Sequence, residues 1–344
     1  MVHTPLRLML DGDALVANWH WLAHRGGGAA CGAAVKADGY GLGAREAVKR
    51  LQHAGCRDFF VATWAEAELL MPWPGDLNLS VLHGVGPKDR QAGPASRARP
   101  VLNSPEQVAR WRDSGRVCDV MVDTGINRLG IAPADVKSGL LEGLKIETLM
   151  SHLACADEDV PSNEEQRQAL ADLRSRVNAK RLSLANSAGV CLGPDYAFDL
   201  TRPGLALYGG IPRPEARGHI RQVVRVEAEI VQRRRIEPGA RVGYNGTFTA
   251  ERRHELAILN IGYGDGYLRG FSGTGRARVG DRFAPVVGLV SMDLTAICVD
   301  EAPQLKEGDW VELDYDLPTA AAQSGLSQYE LLTTLSARFE RRWL

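Results

Sequence analysis

From about Leu6 to Pro212, short apolar runs alternate with segments whose apolar residues recur every three or four positions. This alternation constrains the fold more than any other feature of the chain. Cys31–Val35 is a small apolar run that ends at Lys36, and Ala44, Ala47, Val48 and Leu51 then mark one face of a helix. Strands are expected at 58–63, 79–83, 100–102, 119–123 and 146–152, with shorter ones at 182–185 and 205–208. Ser104-Pro105-Glu106-Gln107 has the N-cap, first-turn proline and capping-box positions of a helix start, and Ser162 with Glu165 suggests another, running to Arg174. About eight strand-then-helix units in about 200 residues fit a closed (β/α)8 barrel of the TIM type better than an open sheet. No GxGxxG opens a helix after the first strand, which weighs against a dinucleotide-binding fold.

The pattern changes near residue 220. Val224, Val226, Ala228 and Ile230 alternate with Arg225, Glu227 and Glu229, which is the period of a half-buried strand. Further β-like runs follow at 256–261, 284–290 and 295–299, and a helix from about Ser327 to Phe339 is expected to close the chain. The expected organisation is an α/β barrel domain over 1–217 and a mainly β domain over 218–344, with the first few residues packing on the β domain. The connection 84–99 is the most turn-rich in the first domain.

Composition matters mainly through lysine. The chain of 344 residues has 41 Lys plus Arg, of which seven are lysine: Lys36, Lys49, Lys88, Lys137, Lys145, Lys180 and Lys306. Six of these sit among polar residues in what read as helical or turn contexts. Lys36 alone ends an apolar run, the position where barrel strands present catalytic groups. A partly desolvated amine there has a lowered pKa and can form a Schiff base; a solvated strand-end lysine is the bland alternative. The net charge of −1 gives no global field to attract nucleic acid or an anionic membrane. The six cysteines form no CxxC pair and sit near no second cysteine or histidine cluster, so no metal site is expected. Scattered thiols and the absence of an apolar leader or a 20-residue apolar run suit a cytoplasmic protein.

Other strand-end segments could carry chemistry. In 123–128, Arg128 could clamp a carboxylate in bidentate fashion, or pair with Asp123 to staple its loop. Asn186-Ser187-Ala188-Gly189 could form a phosphate nest, or a plain helix cap. Thr201-Arg202-Pro203-Gly204-Leu205 places an arginine and free amides at another strand edge. In the second domain, Gly243-Tyr244-Asn245-Gly246 carries a tyrosine on a tight turn.

Taken in order, these segments resemble bacterial alanine racemases. Val35-Lys36-Ala37-Asp38-Gly39-Tyr40-Gly41 resembles the family's pyridoxal-phosphate lysine motif, and similar matches run at 123–130, 151–158, 185–189, 199–209, 243–250, 262–269 and 288–293. The resemblance implies a PLP enzyme interconverting L- and D-alanine by a two-base mechanism, which would supply D-alanine for cell-wall peptidoglycan. By the same resemblance Lys36 carries the cofactor covalently, and Lys36 and Tyr244 are the two bases. Tyr40, Ser187, Gly204 and Leu205 bind the phosphate, Arg202 faces the ring nitrogen, and His152 supports that arginine. Arg128 and Met292 hold the substrate carboxylate. Tyr244 and Met292 would come from the second subunit of a head-to-tail homodimer. No nucleic-acid or membrane partner is implied.

Three positions depart from the family pattern. Met121 stands where some members carry a modified lysine beside the carboxylate-binding arginine. Ala337 stands where a tyrosine usually touches the phosphate, and Asn245 replaces the more usual glycine after the tyrosine. These departures bear on substrate range, and a broader-specificity racemase of the same fold is the alternative. A decarboxylase of the same barrel type would place an acid where Arg202 stands.

Overall fold

The computed structural model describes residues 3–89 and 97–344; part of the turn-rich connection at 84–99 lies outside these. Two compact units result, residues 15–221 and residues 3–14 together with Gln222–Leu344. Strand β1 (Leu6–Leu10) therefore belongs with the later part of the chain.

In the first unit, β2 (Ala30–Cys31) and β3 (Ala33–Ala34) are two halves of one strand interrupted at Gly32. A Cβ at Gly32 would lie 2.9 Å from the Asp58 carbonyl oxygen and from the Phe60 ring, so only glycine lets the neighbouring backbone approach this closely. A parallel sheet continues through β4 (Asp58–Val61), β5 (Asn78–Val81), β6 (Arg99–Leu102), β7 (Val117–Met121), β8 (Lys145–Met150) and β9 (Ala179–Ser183). β10 (Leu200–Thr201) closes the ring. The Ala30, Gly32 and Ala34 amides donate to the carbonyls of Asp199, Thr201 and Pro203 at 2.9–3.0 Å. On its other side, Asp199 and Arg202 amides donate to Leu182 and Ala185 at 3.1 and 2.8 Å. The barrel expected from the strand–helix alternation is thus present, with Phe60, Val101, Met121, Met150 and Leu200 packed together in one of its core clusters.

Helix Ala44–Ala54 buries Ala44, Ala47, Val48 and Leu51, the face read from the sequence. Ser104 caps helix Pro105–Arg112 as expected, while Gln107 Oε1 accepts from the Asn103 amide, one residue before the cap. Other expectations need correction. Helix Pro161–Ala171 starts with Val160 at the cap and no side-chain cap bond, so Ser162 lies inside its first turn; Pro161 at the first position already sets the start. Residues Leu205–Tyr208 form a 3-10 turn, not a strand. All four are buried, and a short fully buried run has no period to tell strand from helix. Lys145 and Lys180 are on strands, near their N-terminal ends, rather than on helices or turns.

The second unit is built on β11 (Val224–Ile236), whose first seven residues alternate buried with less buried positions. It pairs antiparallel with β1, with β14 (His254–Leu259) and with β18 (Trp310–Leu313), and β14 pairs with β17 (Thr295–Cys298); β12 (Arg241–Val242) pairs with β13 (Phe248–Thr249), and β15 (Arg276–Val279) with β16 (Arg282–Pro285) and β18. The expected closing helix ends early. A Ser327/Glu330 capping box starts helix Gln328–Thr333, and the chain finishes as β19 (Glu340–Trp343), parallel to β1. β19 borrows its register from β1, more than 300 residues away in sequence, which no local pattern reveals. Among the described residues, no helix is long and apolar enough to cross a membrane.

Candidate active site

In a ring of parallel strands, all C-terminal ends lie on one rim. Lys36 follows β3, Glu66 follows β4, Arg128 follows β7, His152 follows β8, Ser187 follows β9 and Arg202 follows β10. The fold thereby collects on one rim the first-unit candidates read from the sequence.

Lys36 is followed by one left-handed turn. Ala37, Asp38 and Gly39 have φ/ψ near (+50 to +63, +45 to +52), and Tyr40 and Gly41 also have positive φ. Each non-glycine residue in this region costs about 1–2 kcal/mol, so surrounding contacts must hold the turn. Glu66 supplies one. Its Oε1 accepts the Ala37 amide at 2.8 Å and its Oε2 accepts the Ala62 amide at 2.6 Å, while its own amide completes a capping box with Thr63. Asp38 adds another by accepting the Ala44 amide at 2.8 Å. The Tyr40 ring stacks on buried Tyr208 at 4.8 Å between centroids, and Tyr208 donates to the Ala34 carbonyl.

The Lys36 amine is half-buried and makes no hydrogen bond or ion pair among the described residues. Its pKa is lowered, chiefly by burial and then by the Arg128 charge, with Arg202 adding to the effect and Glu66 opposing it. His152 is pushed down to about 3 by burial and by the charges of Arg202, Arg128 and Lys36, so it is neutral at physiological pH. Arg202 is fully buried, which lowers it to about 10, still cationic at neutral pH. It donates to the Ser183 hydroxyl and, at 2.6 Å, to the Ser151 carbonyl. The expected support from His152 is therefore not a hydrogen bond to the guanidinium. Ser183 and Ser151, which the sequence did not single out, hold it instead. Gln166 was also missed: buried, it accepts from Ala154 N at 2.9 Å and donates to the His152 carbonyl at 3.1 Å, fixing the segment after β8.

At Ser187 the structure separates two readings left open by the sequence. Asn186 is the helix cap, accepting from the Gly189 amide at 2.9 Å. The Ser187 hydroxyl is thus released from capping and accepts the Gly204 and Ala206 amides at 2.9 and 3.1 Å, so the Gly204 amide expected at the phosphate is instead engaged by Ser187. The Leu205 amide between them has no acceptor among the described residues. The Tyr40 hydroxyl lies so close to Gly204 that a Cβ there would come within 2.1 Å of it. A hydroxyl, a phenol and an orphan amide beside Gly204 form a cradle with the donor set for a phosphate. Asp123 likewise resolves the second ambiguity. Its carboxylate accepts the Gly125 and Asn127 amides, and exposed Arg128 has no partner among the described residues. Met121 is in the barrel core and does not reach out to support it.

Family models for alanine racemase match the chain over both parts, the N-terminal domain at residues 10–212 and the C-terminal domain at 223–343. The chain belongs to the alanine racemase family. A relative in Mesorhizobium japonicum, named a catabolic alanine racemase, is 40% identical over 98% of this chain and 93% of its own length. Another in Agrobacterium fabrum, named biosynthetic, is 38% identical over 99% and 94%. The alanine racemase of Bartonella henselae, solved with covalently bound pyridoxal phosphate, superposes with a TM-score of 0.92 at 32% identity, covering both chains completely. The family is PLP-dependent, and the amine, phosphate cradle and buried cation of this chain fit that cofactor.

In the second unit, Tyr244 and Met292 are 63% and 52% exposed. Asn245 has φ +61, a conformation that asparagine tolerates better than other non-glycine residues, which explains how it replaces the family's glycine. Met292 lies on a loop clamped from two sides. Its carbonyl accepts the Gly264 amide at 2.8 Å, and Arg338, next to Ala337, bridges Asp265 and Asp293 at 3.2 and 2.6 Å. The Met292 amide has no acceptor among the described residues.

Proposed function

We propose that the chain racemises alanine, with Lys36 and Tyr244 as the two bases. The half-buried, unpartnered Lys36 amine, facing two arginines on the catalytic rim, is the observation that carries this reading. Bound pyridoxal phosphate withdraws electrons from the amino acid's Cα and makes its hydrogen acidic. Ser187, Tyr40 and the Leu205 amide hold the cofactor's phosphate, and Arg202 meets its ring nitrogen. An arginine that stays cationic donates a hydrogen bond without giving up its proton, so that nitrogen gains no full positive charge. Arg128 and the Met292 amide bind the substrate carboxylate. Inverting a stereocentre needs proton removal on one face and delivery on the other. Lys36, with its lowered pKa, takes the D-side proton and Tyr244 the L-side proton.

The exposure of Tyr244 and Met292 supports their service to the site of a second copy, in a head-to-tail homodimer. Light scattering on active enzyme tests this; a stable, fully active monomer overturns it. The product would feed cell-wall synthesis in the cytoplasm, so disrupting the gene should create a requirement for D-alanine.

A chiral assay across alanine, serine and lysine tests the reaction, with Lys36→Ala as the control. The wild type should racemise alanine fastest and show the visible band of lysine-bound cofactor. Lys36→Ala should lose both, and an intact band with full activity in that variant refutes the assignment. Comparable rates on several side chains would favour the broader-specificity reading.

A further inference from the structure

We propose that His254, Cys298 and Asp300 form a binding site for a borderline-soft divalent metal ion of the Zn2+ type on the β unit, separate from the chemistry at Lys36. Leu256 on β14 is paired with Cys298 on β17, and the Val299 amide continues the ladder by donating to the Glu255 carbonyl at 2.8 Å. Residues two apart on a strand share a face, so His254 and Asp300 oppose each other and Cys298 lies on the diagonal. Nδ1 of His254 is 2.8 Å from Oδ2 of Asp300 and 3.6 Å from Sγ of Cys298. The three donor atoms all lie within 4.8 Å of one another.

These separations can be compared with those a tetrahedral ion imposes. Zinc bonds of about 2.3 Å to sulfur and 2.0–2.1 Å to nitrogen and oxygen require S···N near 3.6 Å and N···O near 3.4 Å. The sulfur–nitrogen edge already has the required length. The nitrogen–oxygen edge needs to open by about 0.6 Å, as expected when a shared proton gives way to a metal. Asp300 is oriented from behind, since its Oδ1 accepts the Glu255 amide at 2.7 Å, the kind of outer contact that fixes a ligating carboxylate. A surface pocket lined by Arg252, Phe283, Pro285 and Glu301 opens on Cys298 and Asp300, leaving room for water as a fourth ligand.

Imidazole, thiolate and carboxylate together select zinc or cobalt over magnesium or calcium, which prefer all-oxygen shells. Arg252 competes for Asp300 at 3.1 Å, but its side chain is 72% exposed and can swing into solvent. No motif spacing marks this site, because the histidine and the cysteine are 44 positions apart along the chain.

Zn2+ and Co2+, each added alone to reduced holoenzyme, test the proposal. One equivalent of Co2+ should give the visible d–d bands of a four-coordinate ion, and Zn2+ should displace it. Bound Zn2+ should slow alkylation of Cys298 at least tenfold, while alkylation of Cys155, the other thiol that is not fully buried, keeps its rate. Cys298→Ser and His254→Gln should each weaken Co2+ binding tenfold or more, with the circular dichroism of the folded enzyme unchanged. Unchanged alkylation of Cys298 in the wild type, which needs no variant to fold, would overturn the site. So would undiminished Co2+ binding in folded Cys298→Ser.

Discussion

Glu66→Gln tests how the reactive lysine is held. The glutamate accepts amides from two strand ends at once, Ala37 after β3 and Ala62 after β4. Glutamine is nearly isosteric but has one oxygen, so one of the two amides must face an NH2 group. Losing one charge-assisted bond costs about 1.5–3 kcal/mol. The turn it pins includes Ala37, Asp38 and Tyr40, three non-glycine residues at positive φ that hold about 3–6 kcal/mol of strain between them. A loss of about 1.5–3 kcal/mol therefore approaches what is needed to relax the turn. For a unit the size of residues 15–221 it should lower Tm by roughly 3–12 °C, at about 2–4 °C per kcal/mol.

Cofactor-free protein should be used, so that the melting shift reports the turn and not PLP binding. The Ala37 amide should exchange with deuterium faster in the variant, and in the separately prepared PLP-loaded enzyme kcat should fall more than KM rises. Glu68→Gln, two residues on and exposed, is the control and should leave all three unchanged. A Glu66→Gln protein that melts within 1 °C of the wild type and keeps Ala37 protected would refute the reasoning.

Three further outcomes follow from the site. Gly204→Ala places a methyl 2.1 Å from the Tyr40 hydroxyl, so the dissociation constant for PLP should rise at least tenfold by equilibrium dialysis; wild-type affinity would mean that the cradle is not where the phosphate binds. His152 is held near 3 when folded against 6.5 when unfolded, so unfolding takes up a proton between these values. The wild type should accordingly lose up to about 1.4 kcal/mol per unit as pH falls from 6.5, and His152→Asn should lose less in urea titrations at pH 7, 6 and 5; parallel profiles would contradict the buried neutral imidazole. Tyr244→Phe should slow deuterium exchange from L-alanine much more than from D-alanine, and equal slowing of both would sink the division of labour between the bases.

Lys36 was legible in the sequence because a lone lysine ending an apolar run is a local feature, as are the Ser104 cap and the two-residue alternation of β11. The Lys36 motif and its successors also carried the family, in order along the chain. What holds these residues was not legible. Arg202 depends on Ser151 and Ser183, at the ends of two other strands, and Lys36 depends on Glu66, which follows a different strand from its own.

The sequence alone determined periodicity, caps and the identity of the reactive groups, because each rests on torsional and burial preferences within a few neighbouring residues. Only the tertiary structure decided which groups meet. Closure of the barrel by β10, the left-handed turn after Lys36, the release of Ser187 by Asn186 and the place of β1 and β19 in one sheet fall in this class. Two of these, the barrel closure and the sheet placement, are hydrogen-bond ladders between distant segments. At the turn and at Ser187, short-range backbone strain or a capping choice is decided by contacts with other strands. The geometry that gathers the strand ends on one rim is a property of the whole ring, and no single segment contains it.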